Sequence, residues 1–373
     1  MSSETQSSSL EMDFVALPKV ELHAHLSGSI GRECLHEIWL QKKAQGETTL
    51  EDPLVEMPAV LLGASDQVGL ITSYPSSASY FLVPAATVQI SHPSSFFPLF
   101  SKYIYELCND RASLIQTTNS VLSSFSSDGV AYLELRTTPR AIPSANITKD
   151  DYISTILSCI TAHSTTTTQK MKTNLILSID RRNTLPTALE VVSLALKYRF
   201  NGVVGIDLCG DPAVGDISIF APAFKLAREA NLPITIHFAE APASSTPEEL
   251  WGLLEYMPQR IGHVINVPDD VKEEIVRRGL GLELCLSCNV HAKMITGTYG
   301  DHHFGWWREK GCPIALGTDD VGVFGSSLSN EYRLIADHFS LNRTEICDLA
   351  RSTIDTIFGT EEDKQRLREV MWK

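Results

Sequence analysis

Eight short β-rich runs recur along the chain, and helix-length segments separate most of them. Strands separated by helices imply a parallel sheet. Eight such units in 373 residues predict a (β/α)8 barrel, an α/β fold of the TIM type. The alternative is an open doubly wound sheet, which normally carries a glycine-rich phosphate loop after its first strand, and the sequence has none there. The predicted strands span 20–26, 130–138, 174–180, 203–210, 234–240, 260–265, 280–288 and 313–320.

Four of the intervening segments have the pattern of amphipathic helices. Segments 188–200 and 221–230 carry apolar residues at helical spacing. Segments 247–257 and 268–279 begin with proline and acidic residues, as helices often do. The alternation of strand and helix is therefore clearest in the second half of the chain.

Charge and hydropathy exclude two classes of partner. A net charge of −14 argues against a nucleic acid, because binding the phosphate backbone needs a basic surface. No uninterrupted apolar run reaches the roughly 18 residues that a membrane span requires. Residues 1–12 are polar and acidic without the features of a secretory signal, and they predict a short disordered tail on a cytosolic protein. We expect residues 13–373 to form one domain.

The eight cysteines are scattered, and most lie in apolar runs, so they are expected to be reduced thiols of the core. Cys285 and Cys288 form a CxxC pair. No second pair of cysteines or histidines follows at zinc-finger spacing, and we therefore expect a structural role for this pair.

One stretch does not fit the barrel pattern. Segment 57–96 is rich in serine and proline, contains a single charge at Asp66, and sustains neither helical nor alternating periodicity. Long irregular loops in compact domains are usually lids or disordered segments. An atypical insertion or lid, an unfolded segment and an error in the gene prediction are all compatible with this sequence.

Seven histidines and carboxylates lie at or near the ends of predicted strands. Two of them alternate in the stretch VELHAHLSGS, so their rings face the same side of the first strand. The active site of a (β/α)8 barrel lies at the carboxyl ends of its strands. Because buried charges need partners or a metal, seven such residues on one rim indicate a site rather than core filling. They are His23, His25, His237, Glu240, His263, Asp319 and Asp320.

Three histidines and one carboxylate form a ligand set suited to zinc. We assign His23, His25, His237 and Asp319 as the ligands of one zinc ion per chain. A catalytic zinc keeps a position for water and lowers the pKa of that water to about 7.

The three remaining residues then have roles in metal-assisted hydrolysis. His263 and Asp320 can accept a proton from the water and aim the resulting hydroxide. Glu240, three residues beyond a ligand, can donate a proton to the atom that becomes electron-rich.

A set of motifs occurs in order along the chain: LPKVELHAHLSGSI, ELRTTPR, SIDRR, GIDLCGDP, IHFAE, RIGH, DHHF and GTDDVGVF. Together they resemble the adenosine deaminase superfamily, and more narrowly its adenosine deaminase-like branch, whose members hydrolyse N6-methyl-AMP to IMP and methylamine. The resemblance covers 17–26 and then 97 to the C-terminus. It implies a zinc-dependent barrel with the four ligands above, Glu240 as proton donor, His263 beside the zinc water and Asp320 as its orienting partner.

The resemblance also implies a set of substrate contacts. The hydroxyl, backbone N–H and guanidinium groups of 137–140 suit a phosphate, and Gly210 allows close approach of a base to the backbone. Taken alone, the same residues could be a strand ending at proline and a turn, and Asp180 could be only the partner of Arg181 or Arg182. The implied contacts are His25, Thr137, Thr138, Pro139, Arg140, Asp180, Gly210, Glu240 and Asp319.

The chain departs from the branch at three places. Ser27 stands where the branch usually carries asparagine, and we expect it to contact the substrate with a shorter reach. A histidine expected within FPLFSKYIYEL is absent, and Tyr105 is the nearest substitute. Segment 57–96 resembles nothing in the family. These departures bear on phosphate recognition and closure, and they leave the zinc and deamination chemistry untouched.

The leading hypothesis is a zinc aminohydrolase that acts at C6 of a purine nucleoside monophosphate. Plain adenosine deaminase is the alternative within the enzyme class, and a catalytically impaired purine-binding barrel is the alternative outside it. We expect a small-molecule purine nucleotide as partner, with no nucleic acid and no membrane. The oligomeric state is left open, with a monomer as the working expectation.

Overall fold

The computed structural model describes residues 12–56, 100–166 and 171–373. The predicted insertion at 57–96 and nearly all of the predicted tail lie outside the described residues. In the rest of the chain, strands and helices alternate as the sequence pattern predicts.

Eight parallel strands form the centre of the molecule. Hydrogen bonding gives two four-stranded sheets, of strands one to four and five to eight. Isolated bridges between Ile206 and Ile234 and between Ala24 and Asp319 join the sheets at both seams, so the strands close into a barrel. The predicted fold class is confirmed. The strands are β1 Lys19–His25, β2 Val130–Thr137, β3 Lys172–Asp180, β4 Val203–Cys209, β5 Thr235–Phe238, β6 Arg260–His263, β7 Gly281–Leu284 and β8 Ile314–Leu316.

Helices cover the outside of the barrel. The four helices predicted from the sequence are α6 to α9, with ends that differ by up to a few residues. A π-helical turn at Phe100–Ile104 precedes α3. The α-helices are α1 Arg32–Gln45, α2 Pro53–Glu56, α3 Tyr105–Leu107, α4 Arg111–Ser127, α5 Lys149–Thr166, α6 Leu185–Tyr198, α7 Ala221–Glu229, α8 Pro247–Glu255, α9 Asp269–Arg278, α10 Leu286–His291, α11 Phe304–Glu309, α12 Val321–Phe324, α13 Leu328–His338, α14 Arg343–Ser352 and α15 Glu361–Val370.

The seventh predicted strand is too long. We predicted a strand over 280–288, whereas β7 ends at Leu284 and α10 begins two residues later. The buried carboxylate of Glu331 accepts a hydrogen bond from the backbone N–H of Ser287 at 3.1 Å, in place of a neighbouring strand. The chain can therefore turn into a helix although its residues are apolar enough for a strand.

A network of buried ion pairs lies in the barrel interior. The guanidinium of Arg260 lies 2.6 Å from carboxylate oxygens of both Glu134 and Glu283. Arg136 lies 2.7 Å from the second oxygen of Glu283. All four side chains are at most 1% exposed, so each charge depends on its partners for the hydration that it has lost. The network ties β2 to β6 and β7.

Within the described ranges, no helix is long and apolar enough to cross a bilayer. The cytosolic location stays a prediction. Seven of the eight cysteines are buried, and all eight are free thiols, in agreement with the expectation from their apolar surroundings.

Candidate active site

The carboxyl ends of β1, β5, β6 and β8 bring the predicted histidines and aspartates together. The Nε2 atoms of His25 and His237 lie 3.1 Å apart. Asp319 Oδ1 lies 3.4 Å from His25 Nε2 and 3.5 Å from His23 Nε2. His23 and His25 therefore direct Nε2 towards the same carboxylate, as the alternation in VELHAHLSGS predicts, and His237 Nε2 lies next to His25 Nε2.

One group of potential ligand atoms among the described residues differs by one residue from the predicted ligand set. His23, His237, His263 and Asp319 are all buried and place one ligand atom each within 4.8 Å of one another. The predicted set has His25 in place of His263. The Nε2 atoms of His23 and His263 have no hydrogen-bond partner among the described residues. For His23, such an orphaned nitrogen suits a site that holds a metal ion.

Two carboxylates orient the histidines from behind. Glu283 Oε2 lies 2.7 Å from His23 Nδ1, and Asp207 Oδ1 lies 3.1 Å from His237 Nδ1. Because an ionised carboxylate only accepts, each Nδ1 carries the proton, and the lone pair of each Nε2 faces the centre of the site. This is the arrangement that metal-binding histidines require, so the residues fit a metal.

Glu240 and Asp320 lie beside this centre. Burial, together with the nearby charge of Asp319, raises the pKa of Glu240 to about 7. Burial and the adjacent Asp319 carboxylate likewise raise the pKa of Asp320. His263 Nε2 lies 3.9 Å from Glu240 Oε1. The three residues predicted for acid–base chemistry therefore border the candidate ligands.

A glycine makes room for Asp320. A Cβ atom at Gly28 would lie 1.5 Å from Asp320 Oδ1. The backbone N–H of Gly322 donates to the Gly28 carbonyl at 2.9 Å, and a Cβ at Gly322 would lie 2.2 Å from the carbonyl oxygen of Ile30. The loops after β1 and β8 therefore pack backbone against backbone at the site.

Three residues at strand ends have an unusual backbone conformation. Ala239, His263 and Asp319 have φ values of 51°, 63° and 58°. The left-handed region is unfavourable for residues with a Cβ, and such conformations concentrate at functional sites. At these positions they turn the chain sharply where β5, β6 and β8 deliver their side chains.

A cavity of about 460 Å3 opens above the metal-ligand cluster. Most predicted substrate-contacting residues line it, whereas Pro139 does not. Tyr105, the predicted substitute for a family histidine, also lines the cavity. The predicted residues on the cavity wall are His25, Ser27, Thr137, Thr138, Arg140, Asp180, Gly210, Glu240 and Asp319.

The predicted phosphate-binding groups have partners of their own. Thr137 Oγ1 lies 2.8 Å from the hydroxyl of Tyr152. Arg140 donates to the carbonyl of Cys108, and its guanidinium lies over the ring of Tyr105, 5.0 Å from the centroid. Of the two threonines, Thr138 has the weaker contact, with Cys209 Sγ 3.6 Å from its hydroxyl.

A second guanidinium on the cavity wall escaped the sequence analysis. Arg182 binds Asp180 through two nitrogens, at 2.8 and 2.6 Å, which is one of the pairings weighed for Asp180 from the sequence. Both side chains line the cavity. The motif SIDRR carried the signal, since Arg182 lies two residues beyond the end of β3.

One cysteine of the CxxC pair contacts the candidate active site. Cys288 lines the cavity, and its thiol donates to Asp319 Oδ2 at 2.8 Å. Because β7 ends early, Cys288 lies in α10 and contacts Asp319, and the structural role of the pair stays a prediction.

Sequence analysis also missed the residues behind the histidines. These residues are Asp207, Glu283, Asn289 and His302. Two of them, Asp207 and Glu283, have a common signal, which is a charged residue at a buried position of an otherwise apolar strand, whereas Asn289 and His302 lie outside the strands and have no such signal.

Comparison with known proteins now gives the family. Residues 55–373 match the family described as adenosine deaminase. The chain belongs to the adenosine deaminase family. The predicted family and the predicted class, a hydrolytic deaminase acting on a purine C–N bond, are confirmed.

Relatives of known name are similar to this chain along nearly its whole length. An N6-mAMP deaminase of Arabidopsis thaliana is 34% identical, over 95% of this chain and 96% of the relative. An N6-methyl-AMP deaminase of Homo sapiens is 31% identical, over 95% of this chain and 92% of the relative.

Solved structures of the family superpose well on this chain. The Arabidopsis N6-mAMP deaminase has a TM-score of 0.83 at 34% identity, covering 96% of this chain and 98% of the other. A structure of the Arabidopsis protein complexed with IMP has a TM-score of 0.82, with 96% of both chains covered.

Proposed function

We propose that this chain hydrolyses N6-methyl-AMP to IMP and methylamine. The observation that carries the proposal is one cavity with a candidate metal centre at its base and two guanidinium groups, of Arg140 and Arg182, on its wall. That arrangement suits a purine whose C6 lies at the metal and whose phosphate lies among cations. The relatives named for this activity support the same substrate.

We assign one zinc ion to His23, His25, His237 and Asp319. The assignment is supported by the Nε2 lone pairs of His23 and His237, which the carboxylates behind them turn to the centre. His25 Nε2 and Asp319 Oδ1 lie within 3.4 Å of each other beside them. When bound, zinc supplies a Lewis acid that lowers the pKa of a water molecule.

The remaining groups move protons and orient the reactants. Asp320 accepts a proton from the attacking water, and His263 lies beside the same oxygen. Glu240, whose raised pKa of about 7 keeps a substantial fraction in the acid form at neutral pH, donates to N1 of the ring. Water adds at C6, and the proton that Asp320 took from it then passes to the nitrogen of the departing methylamine. The C6–N bond breaks as C6=O forms, and the hydroxyl proton of the intermediate returns to Glu240.

We place the nucleotide along the cavity wall. Thr138 and Arg140 bind the phosphate, with Thr137 and Pro139 supporting them through the backbone of the same turn. Asp180 and Gly210 contact the base or ribose, where a Cβ at Gly210 would lie 2.9 Å from Asp180 Oδ1. Ser27 contacts the ribose side. His25, Glu240 and Asp319 meet the substrate at the metal.

An assay of three substrates tests the function. N6-methyl-AMP, AMP and N6-methyladenosine are compared by kcat/KM on protein whose zinc content has been measured. We expect about one zinc per chain and a strong preference for N6-methyl-AMP, since hydrogen bonds to charged groups contribute about 1.5–3 kcal/mol each. No turnover of any purine by zinc-loaded protein would falsify the proposal.

Arginine variants locate the phosphate. We expect Arg140→Ala to weaken kcat/KM for the monophosphate much more than for the nucleoside. Arg182→Ala reports whether the second guanidinium shares that role. Arg277→Ala serves as control, because its guanidinium is exposed on α9 and pairs with Glu274. An unchanged substrate ratio in Arg140→Ala would move the phosphate elsewhere on the rim.

Adenosine deaminase activity is the second candidate. One observation favours it, namely that Thr137 and Arg140 already bind groups of the protein. A ratio near one between N6-methyl-AMP and N6-methyladenosine in the wild type would select this alternative.

A further inference from the structure

A line of buried polar groups runs away from the ring of His263. Asn289 Nδ2 lies 3.1 Å from His263 Nδ1. The other end of the same amide, Oδ1, lies 3.1 Å from His302 Nε2. The backbone N–H of Phe304 then donates to His302 Nδ1 at 3.1 Å. None of the three side chains is more than 3% exposed, so no bulk water substitutes for any of these contacts.

The backbone amide sets the direction of every hydrogen bond in this line. A backbone N–H can only donate, so His302 Nδ1 is an acceptor. Burial lowers the pKa of His302 well below its usual value, and the neutral ring therefore carries its single proton on Nε2. That proton is donated to Asn289 Oδ1.

The amide of Asn289 is then oriented as well. With Oδ1 facing His302, its Nδ2 faces His263 and donates to Nδ1 of that ring. The second Nδ2 proton points to Met294 Sδ at 3.6 Å. A neutral imidazole that accepts at Nδ1 carries its proton on Nε2, the atom that faces the reaction centre.

His263 therefore has the opposite tautomer to His23 and His237, whose Nδ1 atoms face carboxylates. His23 and His237 donate from Nδ1 and present a lone pair at Nε2. His263 accepts at Nδ1 and presents an N–H. A nitrogen that carries a proton cannot bind a metal ion, although His263 Nε2 is close enough to the other ligand atoms to belong to the cluster.

We propose that Asn289 and His302 are positioning residues that fix His263 in the tautomer with its proton on Nε2, so that His263 donates a hydrogen bond to the reacting oxygen. The role at that oxygen rests on the proposed function, whereas the tautomer does not. His263 then orients the oxygen, and accepting the water proton is left to Asp320.

Nitrogen NMR of the zinc-loaded protein tests the tautomer directly. The protein is labelled with 15N-histidine, and the signals of His263 are identified by their loss in His263→Asn. In the wild type we expect a protonated, pyrrole-type Nε2 and an unprotonated, pyridine-type Nδ1. A pyrrole-type Nδ1 on His263 would overturn the proposal, whether or not the protein turns over purines.

Asn289→Asp replaces the amide group that donates to His263 Nδ1 with a carboxylate oxygen that accepts, and it hardly changes the volume of the side chain. A carboxylate accepts from His263 Nδ1, so the proton moves from Nε2 to Nδ1. We expect the two NMR signals to exchange type and kcat to fall about 10²-fold or more, the usual loss for one transition-state hydrogen-bond donor. KM and zinc content should change little. Wild-type kcat in a variant with the exchanged tautomer would refute the role at the reacting oxygen.

His303→Gln is the matched control. His303 stacks on His302 at 4.0 Å between ring centroids, but it binds the backbone carbonyl of His263, at 2.6 Å, and not the ring. If the line of hydrogen bonds sets the tautomer, this variant keeps a pyridine-type Nδ1. If general packing sets it, His303→Gln alters the tautomer as Asn289→Asp does, and the proposal fails.

Discussion

At the scale of single residues, a substitution of Glu240 distinguishes a loss of catalysis from a loss of metal binding. Glu240→Gln preserves the shape of the side chain and removes the acidic proton. We expect normal zinc content and a fall in kcat of about 10²–10⁴-fold, the usual contribution of a general acid. Glu255→Gln, at the end of α8, is the control. Near-normal turnover in Glu240→Gln would assign the proton donor elsewhere.

The same residue predicts a pH dependence. Because burial raises the pKa of Glu240 to about 7, the acid form is present below that pH and is lost as the pH rises through it. We expect kcat to decline on the alkaline side of about pH 7. The check is a kcat profile at saturating substrate, with the zinc content verified at each pH. A rate that climbs steadily above pH 7 would contradict this assignment.

The residues that the sequence predicted well are those that strand geometry brings together. His23, His237 and Asp319 follow from one rule, that the carboxyl ends of barrel strands meet at one rim. Asn289 and His302 could not be predicted in this way. Their positions depend on the end of β7 and on the turn before α11, and neither has a periodic signal.

At the scale of elements, two neighbouring strands supply a proposed metal ligand and the carboxylate that orients it. β5 supplies His237, and β4 supplies Asp207, which fixes the proton of His237 on Nδ1. We expect Asp207→Asn to lower zinc affinity about 10–100-fold, the usual effect of losing such a partner. Competition with a chelator measures the affinity.

Asp211→Asn is the control for that measurement. Asp211 follows the same strand and lines the cavity, but its carboxylate accepts from the backbone N–H of Ala213 rather than from a histidine. Equal zinc affinities in Asp207→Asn and Asp211→Asn would show that the hydrogen bond to His237 does not tune the site.

Element boundaries were less predictable than element types. The apolar run at 280–288 satisfies a strand pattern throughout, yet only its first half pairs with β6 and β8. The rest becomes helical because Glu331, from a distant helix, bonds the backbone of Ser287. A contact between residues so far apart in the chain leaves no mark on local periodicity.

At the scale of the whole molecule, the ionic network in the barrel interior holds distant strands together. Arg260→Met would leave Glu134 and Glu283 buried without one of their cationic partners. Removing one member of a buried ion pair typically destabilises a protein by about 3–5 kcal/mol. We expect a loss of this size in the free energy of unfolding, measured with denaturant.

Arg277→Met provides the comparison. The side chain of Arg277 is 70% exposed, and its ion pair with Glu274 is on the surface of α9. We expect little change in unfolding free energy from this variant, since exposed ion pairs contribute little. Similar losses in both variants would mean that the interior network does not stabilise the barrel.

The backbone packing at Gly28 and Gly322 has a consequence for how sequences of this kind can diverge. Neither residue has a side chain to offer the reaction, yet a single methyl group at either position would collide with Asp320 or with the backbone after β1. We therefore expect neither position to accept another residue, in nature or in a random library, while Asp320 and the backbone after β1 stay where they are. An exhaustive survey of substitutions should find them as intolerant as the catalytic residues.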